Sequence, residues 1–188
     1  TSTGPNLDNL APLVGVERLE AGKATAVIRF TLSAPRTSAT GIPEGTQVRT
    51  ADKRYFKTEK YAEILPGELT VDVVAVADEA GSNSDGIAEG EINVLVDPIP
   101  YVSGAKSVSA STGGTDTEGD DSFTRRINYA PSIFSVAGPV DAYEYFASSW
   151  RSDVADTKIV CKEGYTIHIY FLMAGGRAPT REECTGMQ

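Results

Sequence analysis

Residues 69–77, Leu-Thr-Val-Asp-Val-Val-Ala-Val-Ala, form the most regular segment in the first half of the chain. Its first six positions alternate between two sets of side chains, with Leu69, Val71 and Val73 in one set and Thr70, Asp72 and Val74 in the other. A period of two residues is typical of a half-buried β-strand, because successive side chains of a strand point to opposite faces. The segment therefore predicts a strand with one face in a hydrophobic core.

The same alternation occurs on both sides of this segment and predicts an antiparallel β domain. In residues 24–32, the side chains of Ile28, Phe30 and Leu32 share one face. Further short strands are predicted at residues 46–50, 54–58 and 91–96. Loops rich in Gly and Pro separate the strands, and no useful helical period occurs before Tyr101. Strands every ~10–15 residues with turns between them favour a sandwich or barrel-like domain.

The sequence Asp97-Pro98-Ile99-Pro100 ends this region, because two prolines so close together oppose both a helix and a strand ladder. The polar stretch that follows contains one further predicted strand, at residues 106–110. We therefore expect two domains, residues 1–100 and residues 101–188.

The second half predicts a first helix near residues 116–130. Phe123, Ile127 and Ala130 have the i, i+4, i+7 spacing of one helix face, and Pro131 stops the pattern. Thr115 and Asp116 are the candidate N-caps. Asp121 and Arg125 are spaced as a stabilising i, i+4 pair.

A second helix is predicted near residues 139–150, with Pro139 at its first position, where the missing N–H removes no hydrogen bond. Its expected apolar stripe consists of Val140, Tyr143, Ala147 and Trp150. A β-hairpin is predicted near residues 157–173, and Thr180 and Glu183 have capping-box spacing for a last helix. The predicted fold class is α+β: an antiparallel β domain followed by a small α+β domain with two helices and a hairpin.

Charge and hydropathy exclude two classes of partner. The chain of 188 residues has 17 Lys and Arg against 26 Asp and Glu, a net charge of −9. Nucleic-acid binding needs basic side chains that displace phosphate counterions, so no nucleic-acid partner is expected. The longest uncharged apolar stretches, residues 129–140 and 165–176, fall short of the ~20 residues of a membrane-spanning helix. No membrane partner is expected either.

Catalytic and cofactor chemistry also lacks support. His168, the only histidine, lies in the middle of a predicted strand at the polar alternate position, and Cys161 follows Ile159 and Val160 as a small core residue would. One His and two separated Cys cannot build a zinc site. Residues 116–127 fail as a calcium loop because position 6 is Asp121 instead of Gly. We expect no catalytic residue, metal, cofactor or small-molecule substrate.

Four aromatic residues lie within the second predicted helix: Tyr143, Tyr145, Phe146 and Trp150. Aromatic side chains at such spacing belong either to a hydrophobic core or to the centre of a protein–protein interface, where they are enriched. The sequence leaves both interpretations open.

A succession of short motifs in the second half resembles the baseplate J-like proteins of contractile-tailed bacteriophages and related injection machines. These motifs are Gly-Gly-Thr-Asp-Thr-Glu at 113–118, Asp-Ser-Phe-Thr-Arg-Arg-Ile at 121–127, Ala-Gly-Pro-Val-Asp-Ala-Tyr-Glu-Tyr at 137–145, Ser-Asp-Val-Ala-Asp at 152–156 and Ala-Gly-Gly at 174–176. Shorter pieces in the first half, at residues 42–48, 56–58 and 80–83, are similar to the β region of that family.

The resemblance implies a structural protein without enzymatic activity. Family members are wedge subunits of the tail baseplate, so it implies a virion location, assembly in the bacterial host cytoplasm, contacts with other wedge proteins, and homo-oligomers in a six-fold assembly. The phage, a prophage or a related injection device would each fit. The expected motif or interface residues are Gly113, Gly114, Asp116, Glu118, Arg126, Gly138, Pro139, Tyr143, Tyr145 and Trp150.

Within this motif we expect mainly architectural roles. Gly113 and Gly114 would permit a turn that residues with a Cβ atom cannot make. Gly138 and Pro139 would direct the chain into the second helix. Arg126 would pair with a carboxylate, either within the chain or on a neighbouring subunit.

Two other functional classes remain open at this point. A β-sandwich adhesion module on a phage or bacterial surface would be favoured by a fold without helices after Gly114. An acid-dependent hydrolase would need two carboxylates that converge in a cleft without a basic partner.

Overall fold

The computed structural model describes residues 3–134, 138–162 and 166–188. The chain divides into two compact units. The first, here called the β unit, is Gly22–Thr115. The second, here called the mixed unit, combines Thr1–Ala21 with Asp116–Gln188. The predicted α+β class, with an antiparallel barrel-like region followed by helices and a hairpin, is confirmed.

The β unit contains eight strands: β1 (Thr25–Leu32), β2 (Thr40–Ile42), β3 (Gln47–Arg49), β4 (Tyr55–Thr58), β5 (Ala62–Ile64), β6 (Thr70–Ala77), β7 (Val94–Leu95) and β8 (Val102–Ser107). Six of them form one antiparallel sheet in the order β7-β3-β4-β6-β1-β8. The strands β2 and β5 pair separately. Sequence analysis missed β2 and β5, which lie in or beside segments rich in Gly and Pro.

The six-stranded sheet curves until its two edges nearly meet. The backbone N–H of Ser107, at the end of β8, donates to the carbonyl of Ile92 at 2.9 Å, just before β7. The N–H of Gly90 donates to the carbonyl of Ser107 at 3.0 Å. These bonds use backbone groups that an open sheet edge would leave unpaired, and they give the β unit its barrel-like form.

The interior of the barrel contains the apolar faces that the alternation predicts. Ile28 and Phe30 of β1 are fully buried, and Leu32 is nearly so. On β6 the buried set is Val73, Ala75 and Ala77, whereas Leu69 is 44% exposed because it precedes the strand. The remaining core side chains include Ile42, Val48, Phe56, Ile64, Ile87 and Ile92.

The boundary between the units differs from the expected division at residue 100. Residues 101–115 belong to the β unit because β8 pairs with β1 over Ile28–Leu32. Residues 1–21 belong to the mixed unit. The two prolines at residues 98 and 100 lie between β7 and β8, within the β unit.

In its described residues, the mixed unit contains four helices and one pair of antiparallel strands. The helices are α1 (Pro5–Leu10), α2 (Asp120–Tyr129), α3 (Val140–Ser149) and α4 (Arg181–Gly186), and the strands are β9 (Val154–Lys162) and β10 (Thr166–Met173). Short 3₁₀ turns follow α1, α2 and β10. No helix in the described ranges is long and apolar enough to cross a membrane.

The first predicted helix begins later than expected. Helix α2 starts at Asp120, its N-cap is Gly119, and neither Thr115 nor Asp116 caps it. Both residues lie in extended chain that pairs with the segment before β1: Gly22 donates to Thr115 O at 2.8 Å, and Glu118 donates to Leu19 O at 2.9 Å. These backbone bonds prevent residues 115–118 from joining the helix.

Three further details of the helices differ from prediction. Pro139 is the N-cap of α3 instead of its first residue, a shift of one position. The buried face of α3 consists of Ala142, Ala147 and Ser148, while Val140 is 46% exposed. Arg125, the expected i, i+4 partner of Asp121, instead lies 3.7 Å from a carboxylate oxygen of Asp156 and donates to the carbonyl of Ala155.

The predicted capping box at the last helix is confirmed. The N–H of Glu183 donates to Thr180 Oγ1 at 3.3 Å, and the N–H of Thr180 donates to Glu183 Oε2 at 2.8 Å. Arg177 forms a bidentate pair with Glu183 at 2.8 and 2.9 Å, and Arg151 lies 3.5 Å from it. Hydrogen bonds from Arg177 chiefly lower the pKa of Glu183 to about 2.

This low pKa makes the attachment of α4 dependent on pH. The ionised form of Glu183 stabilises the folded protein fully above the ordinary pKa of 4.5, and this contribution disappears as the pH falls towards about 2. We expect Glu183→Gln to lower the free energy of unfolding at pH 7, with a difference from the unsubstituted protein that vanishes near pH 2. Urea unfolding across pH measures it. Glu182→Gln, at an exposed neighbouring position, is the control. A difference that does not change with pH would refute this account.

Candidate functional site

The most buried charges of the mixed unit are Arg126 of α2 and Glu118, which precedes that helix. Arg126 Nε donates to Glu118 Oε1 at 2.9 Å, and the two side chains are only 4% and 0% exposed. The second oxygen of Glu118 accepts from the N–H of Leu19 at 3.1 Å, and Ser122 Oγ donates to the first at 3.1 Å. The carboxylate is therefore fully coordinated by donors of its own unit.

The guanidinium of Arg126 connects two further segments. Its Nη1 donates to Ser149 Oγ at the end of α3 at 3.1 Å, and its Nη2 donates to the carbonyl of Glu17. One side chain thus joins the N-terminal segment, α2 and α3. We refer to Glu17, Leu19, Glu118, Ser122, Arg126 and Ser149 as the Arg126 cluster.

A second arginine fixes the same N-terminal segment from its exposed side. Arg18 donates to Asp8 Oδ1 and Asp120 Oδ1, both at 2.8 Å, and to the carbonyl of Glu118 at 2.6 Å. Its guanidinium lies 4.6 Å from the ring centre of Phe123. The N–H of Gly4 donates to Asp120 Oδ2 at 2.8 Å, and this bond together with Arg18 lowers the pKa of Asp120.

These contacts cover a small hydrophobic core in which Leu7, Ala11 and Val16 pack with Phe123 and Ala130. Of the acidic residues at 116–121, Glu118 and Asp120 form internal ion pairs, and Asp120 and Asp121 lie in the first turn of α2. Arg126, expected to pair within the chain or on a neighbour, pairs within the chain. Sequence analysis could not identify Glu17, Leu19 and Ser149 as its surroundings, since no local spacing relates them.

Removing one partner of this buried pair should be strongly destabilising, because the other charge is left buried and unpaired. We expect Glu118→Leu or Arg126→Met to lower the free energy of unfolding by about 3–5 kcal/mol, with partial recovery in the double variant. Urea unfolding measures each value.

Arg125→Met, at a position 42% exposed, is the matched control, with an expected loss of at most about 1 kcal/mol. Equal losses at Arg125 and Arg126 would contradict the role of the Arg126 cluster.

The Gly113-Gly114 pair lies at the end of the β unit. Gly113 has φ +92°, which residues with a Cβ atom rarely adopt. Gly114 donates its N–H to Asp85 Oδ1 at 3.0 Å, and a Cβ at Gly114 would lie 2.7 Å from the carbonyl oxygen of Gly81. The pair thus permits close passage of two backbones.

We expect Gly114→Ala to lower the free energy of unfolding by about 1–3 kcal/mol, because a methyl group would force the Gly81 backbone away. Gly104→Ala in β8 is the matched control, since a Cβ there meets nothing within 4 Å. That control should leave stability unchanged or raise it slightly. Thermal unfolding of both variants measures the difference, and an equally stable Gly114→Ala would show that the backbone yields freely.

Gly138 and Pro139 lead into α3. Gly138 has φ +61°, and a Cβ there would lie 3.2 Å from Tyr143 Oη. Asp116 is exposed, and its carbonyl accepts a hydrogen bond from Ser152 Oγ at 2.6 Å. These contacts shape the mixed unit locally.

The aromatic residues of α3 divide between core and surface. Tyr145 is half-buried against the small hydrophobic core, and Trp150 makes an edge contact with Phe171 at 6.1 Å. Tyr143 is also half-buried. Phe146 is 62% exposed and touches Tyr145 edge-on at 5.6 Å. The ring of α3 that is most available to a partner is therefore Phe146, one of the four aromatic residues that the sequence left open between core and interface.

The hairpin exposes more apolar surface than its sequence predicts. Cys161, expected in the core, is exposed, and so is Ile167, which pairs with it. His168, expected on the polar face, is half-buried beside the exposed Ile169 and stacks on Tyr170 with ring centres 6.2 Å apart. The prediction for these faces was wrong because a two-stranded sheet leaves much of its surface uncovered.

A cleft of about 810 Å³ in the β unit bears on the hydrolase alternative. The carboxylates of Asp52, Asp78 and Glu79 are among its lining groups. Asp52 pairs with Arg54 at 2.8 Å, and Asp78 pairs with Lys57 at 2.6 Å. Within the described ranges, no group of three or more His, Cys, Asp or Glu side chains could hold a metal ion.

The helices after Gly114 also test the alternative of a β-sandwich adhesion module. A fold without helices in this region would have favoured an adhesion module. The helices α2 and α3 lie in this region, so the structure lacks that favouring feature.

Comparison with known structures shows a likeness of fold. The chain matches a chain from the cryo-EM structure of the anti-feeding prophage (AFP) baseplate, 6-fold symmetrised, with a TM-score of 0.52 and 12% sequence identity. The match covers 95% of this chain and 56% of that chain, so the present chain spans little more than half of its relative's length. No curated protein matches the sequence.

Comparison with protein families matches residues 27–114 to the Baseplate J-like protein barrel domain. The matched range runs from the third residue of β1 to the Gly113-Gly114 pair, and so coincides with most of the β unit. The motifs at 121–176 lie outside it. The resemblance to the baseplate J-like proteins is thereby confirmed, and residues 27–114 carry the match to that family's barrel domain.

Proposed function

We propose that the chain is a structural subunit of the baseplate of a contractile tail, in a phage, a prophage or a related injection device, and that it acts by protein–protein contacts in wedge assembly. The observation that carries this proposal is the barrel-domain match over residues 27–114, together with a fold likeness that extends over 95% of the chain. Fold alone does not determine function, so the chemistry of the surface must agree with the proposal.

The arrangement of charges agrees with a structural role. The buried ionic groups, Arg126 and Glu118, are used to join segments of one unit, and the carboxylates Asp52 and Asp78 in the cleft are neutralised by basic partners. Ion pairs of this kind occur in purely structural networks. We therefore propose that the chain converts no substrate and needs no cofactor.

The partners that we propose are other wedge proteins and further copies of this chain in a six-fold assembly. The related chain comes from a six-fold symmetrised baseplate. We further propose that the subunit resides in the tail baseplate of the mature particle and is incorporated in the host cytoplasm. For α3, we propose that Phe146 contacts a partner while Tyr143, Tyr145 and Trp150 support the helix from within.

Deletion of the gene tests the proposal as a whole. We expect host cells that lack it to produce no complete contractile particles, because the baseplate cannot close without one of its subunits. Expression of the intact chain from a plasmid should restore them. Electron microscopy of purified particles is the measurement, and particles that assemble and contract normally without this chain would overturn the proposed function.

Substitution at the surface of α3 tests the proposed contact. We expect Phe146→Ser to reduce co-purification of neighbouring baseplate proteins with the tagged chain at least about tenfold, while thermal stability stays close to that of the unsubstituted chain. Leu13→Ser is the matched control, since Leu13 is 81% exposed elsewhere in the mixed unit. If Phe146→Ser co-purifies the neighbouring baseplate proteins as well as the unsubstituted chain does, Phe146 does not lie in the interface.

A further inference from the structure

We propose that one end of the barrel is a docking site for a protein segment that presents a single carboxylate flanked by apolar side chains. The site consists of Arg36, Leu65, Leu69 and Tyr101 and is here called the rim site. This inference goes beyond the proposed function, which assigns a contact only to α3, and it does not depend on the baseplate role. It rests on the backbone, the charge and the exposure of these four residues.

The rim site is built from loops that meet where β1 ends and where β6 and β8 begin. The N–H of Ser33 donates to the carbonyl of Tyr101 at 3.1 Å, and the N–H of Gly67 donates to the carbonyl of Arg36 at 2.9 Å. Prolines, whose rings fix φ, occur in these loops at positions 35, 66, 98 and 100. Loops that are already ordered lose less entropy when a partner binds.

Tyr101 occupies a backbone conformation that suits glycine better. Its φ is +72°, in a turn with proline at the second position that the N–H of Val102 closes on the carbonyl of Ile99 at 3.1 Å. The turn at residues 65–68 also has proline at its second position, and its third residue is Gly67, with φ +87°. A bulky residue with positive φ is an outlier, and such residues cluster at binding and active sites.

The side chain of Tyr101 supports an arginine outside the core. The ring is 59% exposed, and the guanidinium of Arg36 lies 3.4 Å from its centre. This stacking uses the face of the guanidinium and leaves the N–H groups at its edge for a planar acceptor. Tyr and Arg are also residue types that are enriched at the energetic centres of protein interfaces.

The charge of Arg36 identifies that acceptor as a carboxylate. None of the ion pairs among the described residues includes Arg36. Arg29 of β1, in contrast, donates to both carboxylate oxygens of Asp72 at 2.7 Å. A guanidinium edge matches the geometry of a carboxylate, with which it forms two parallel hydrogen bonds. A partner can therefore supply to Arg36 the group that Asp72 supplies to Arg29.

Apolar surface beside Arg36 restricts the partner further. Leu65 and Leu69 are 53% and 44% exposed, and the carbonyl of Leu69 accepts from the N–H of Leu32 at 2.8 Å, next to Ser33. Exposed apolar side chains that cluster in this way mark interaction sites. The occupant thus combines apolar side chains with its carboxylate.

The other charges of the chain favour one carboxylate over a run of acids. Glu68, in the turn between the two leucines, is exposed and would repel a second acidic group. The chain also carries a net charge of −9. A single carboxylate meets that charge only weakly, because physiological salt screens charges that are more than about 8 Å apart.

Binding of a short peptide to the intact chain tests the chemistry of the rim site. The probe is acetyl-Leu-Asp-Leu-Leu-amide, followed by amide chemical shifts in NMR. We expect the N–H signals of Tyr101 and its neighbours to shift with a Kd of about 0.1–1 mM. Replacing Asp of the peptide by Asn, or Arg36 of the chain by Gln, should weaken binding at least about fivefold, because the charged hydrogen bonds are lost.

Three results of this titration would overturn the rim site. These are no shift with up to about 10 mM peptide, equal binding of the Asn peptide, and equal binding by Arg36→Gln. Inorganic phosphate is the control for unspecific anion binding. We expect it to bind at least about fivefold more weakly than the peptide, since it lacks the apolar contacts. Equal shifts with phosphate would likewise contradict docking of a protein segment.

Tyr101→Gly separates a docking role from a structural one. Glycine adopts positive φ freely, so we expect an unchanged or higher Tm together with peptide binding that is at least about fivefold weaker. Lys53→Gly is the matched control, since Lys53 is exposed elsewhere in the β unit with φ +68°. It should keep full binding. A lower Tm or full binding for Tyr101→Gly would overturn the proposal, whereas the gene deletion tests the baseplate role separately.

Discussion

The buried ion pair between Arg126 and Glu118 is the constraint on which the mixed unit depends. Two charges removed from water are destabilising unless every donor and acceptor is satisfied, and here Leu19, Ser122 and Ser149 complete the set. Because the donors come from segments far apart in the sequence, the pair can form in only one arrangement of those segments. It therefore specifies how the N-terminal segment, α2 and α3 meet, while the small apolar core around Phe123 supplies favourable burial.

The β unit is held together by a different principle. Its sheet is stabilised by a continuous apolar interior around Phe30 and Phe56, and its near closure pairs edge groups that would otherwise attract other strands. At the end of this unit, Gly114 passes so close to the backbone of Gly81 that a Cβ atom would lie 2.7 Å from the Gly81 carbonyl oxygen. Near closure satisfies backbone hydrogen bonds, whereas the glycine satisfies a steric constraint.

Together these features agree with a protein that works through preformed surfaces. The ionic groups that could have served catalysis are used within the units, whereas apolar side chains such as Phe146 and Ile169 are left exposed. The matches to a baseplate barrel domain and to a chain of a baseplate structure are consistent with this division of roles.

Much of the fold could be predicted from local pattern, because strands, hairpins and caps depend on residues two to four positions apart. The sequence by itself determined the alternating faces of residues 25–32 and 70–77, the hairpin, and the capping box at Thr180. Only the tertiary structure decided that Arg126 would bond Glu17, 109 positions away, and that this contact assigns the N-terminal segment to the mixed unit. It likewise decided that Ile169 would be exposed. A pattern shows which side chains are apolar, but burial and ion pairing depend on which distant segment arrives to cover them.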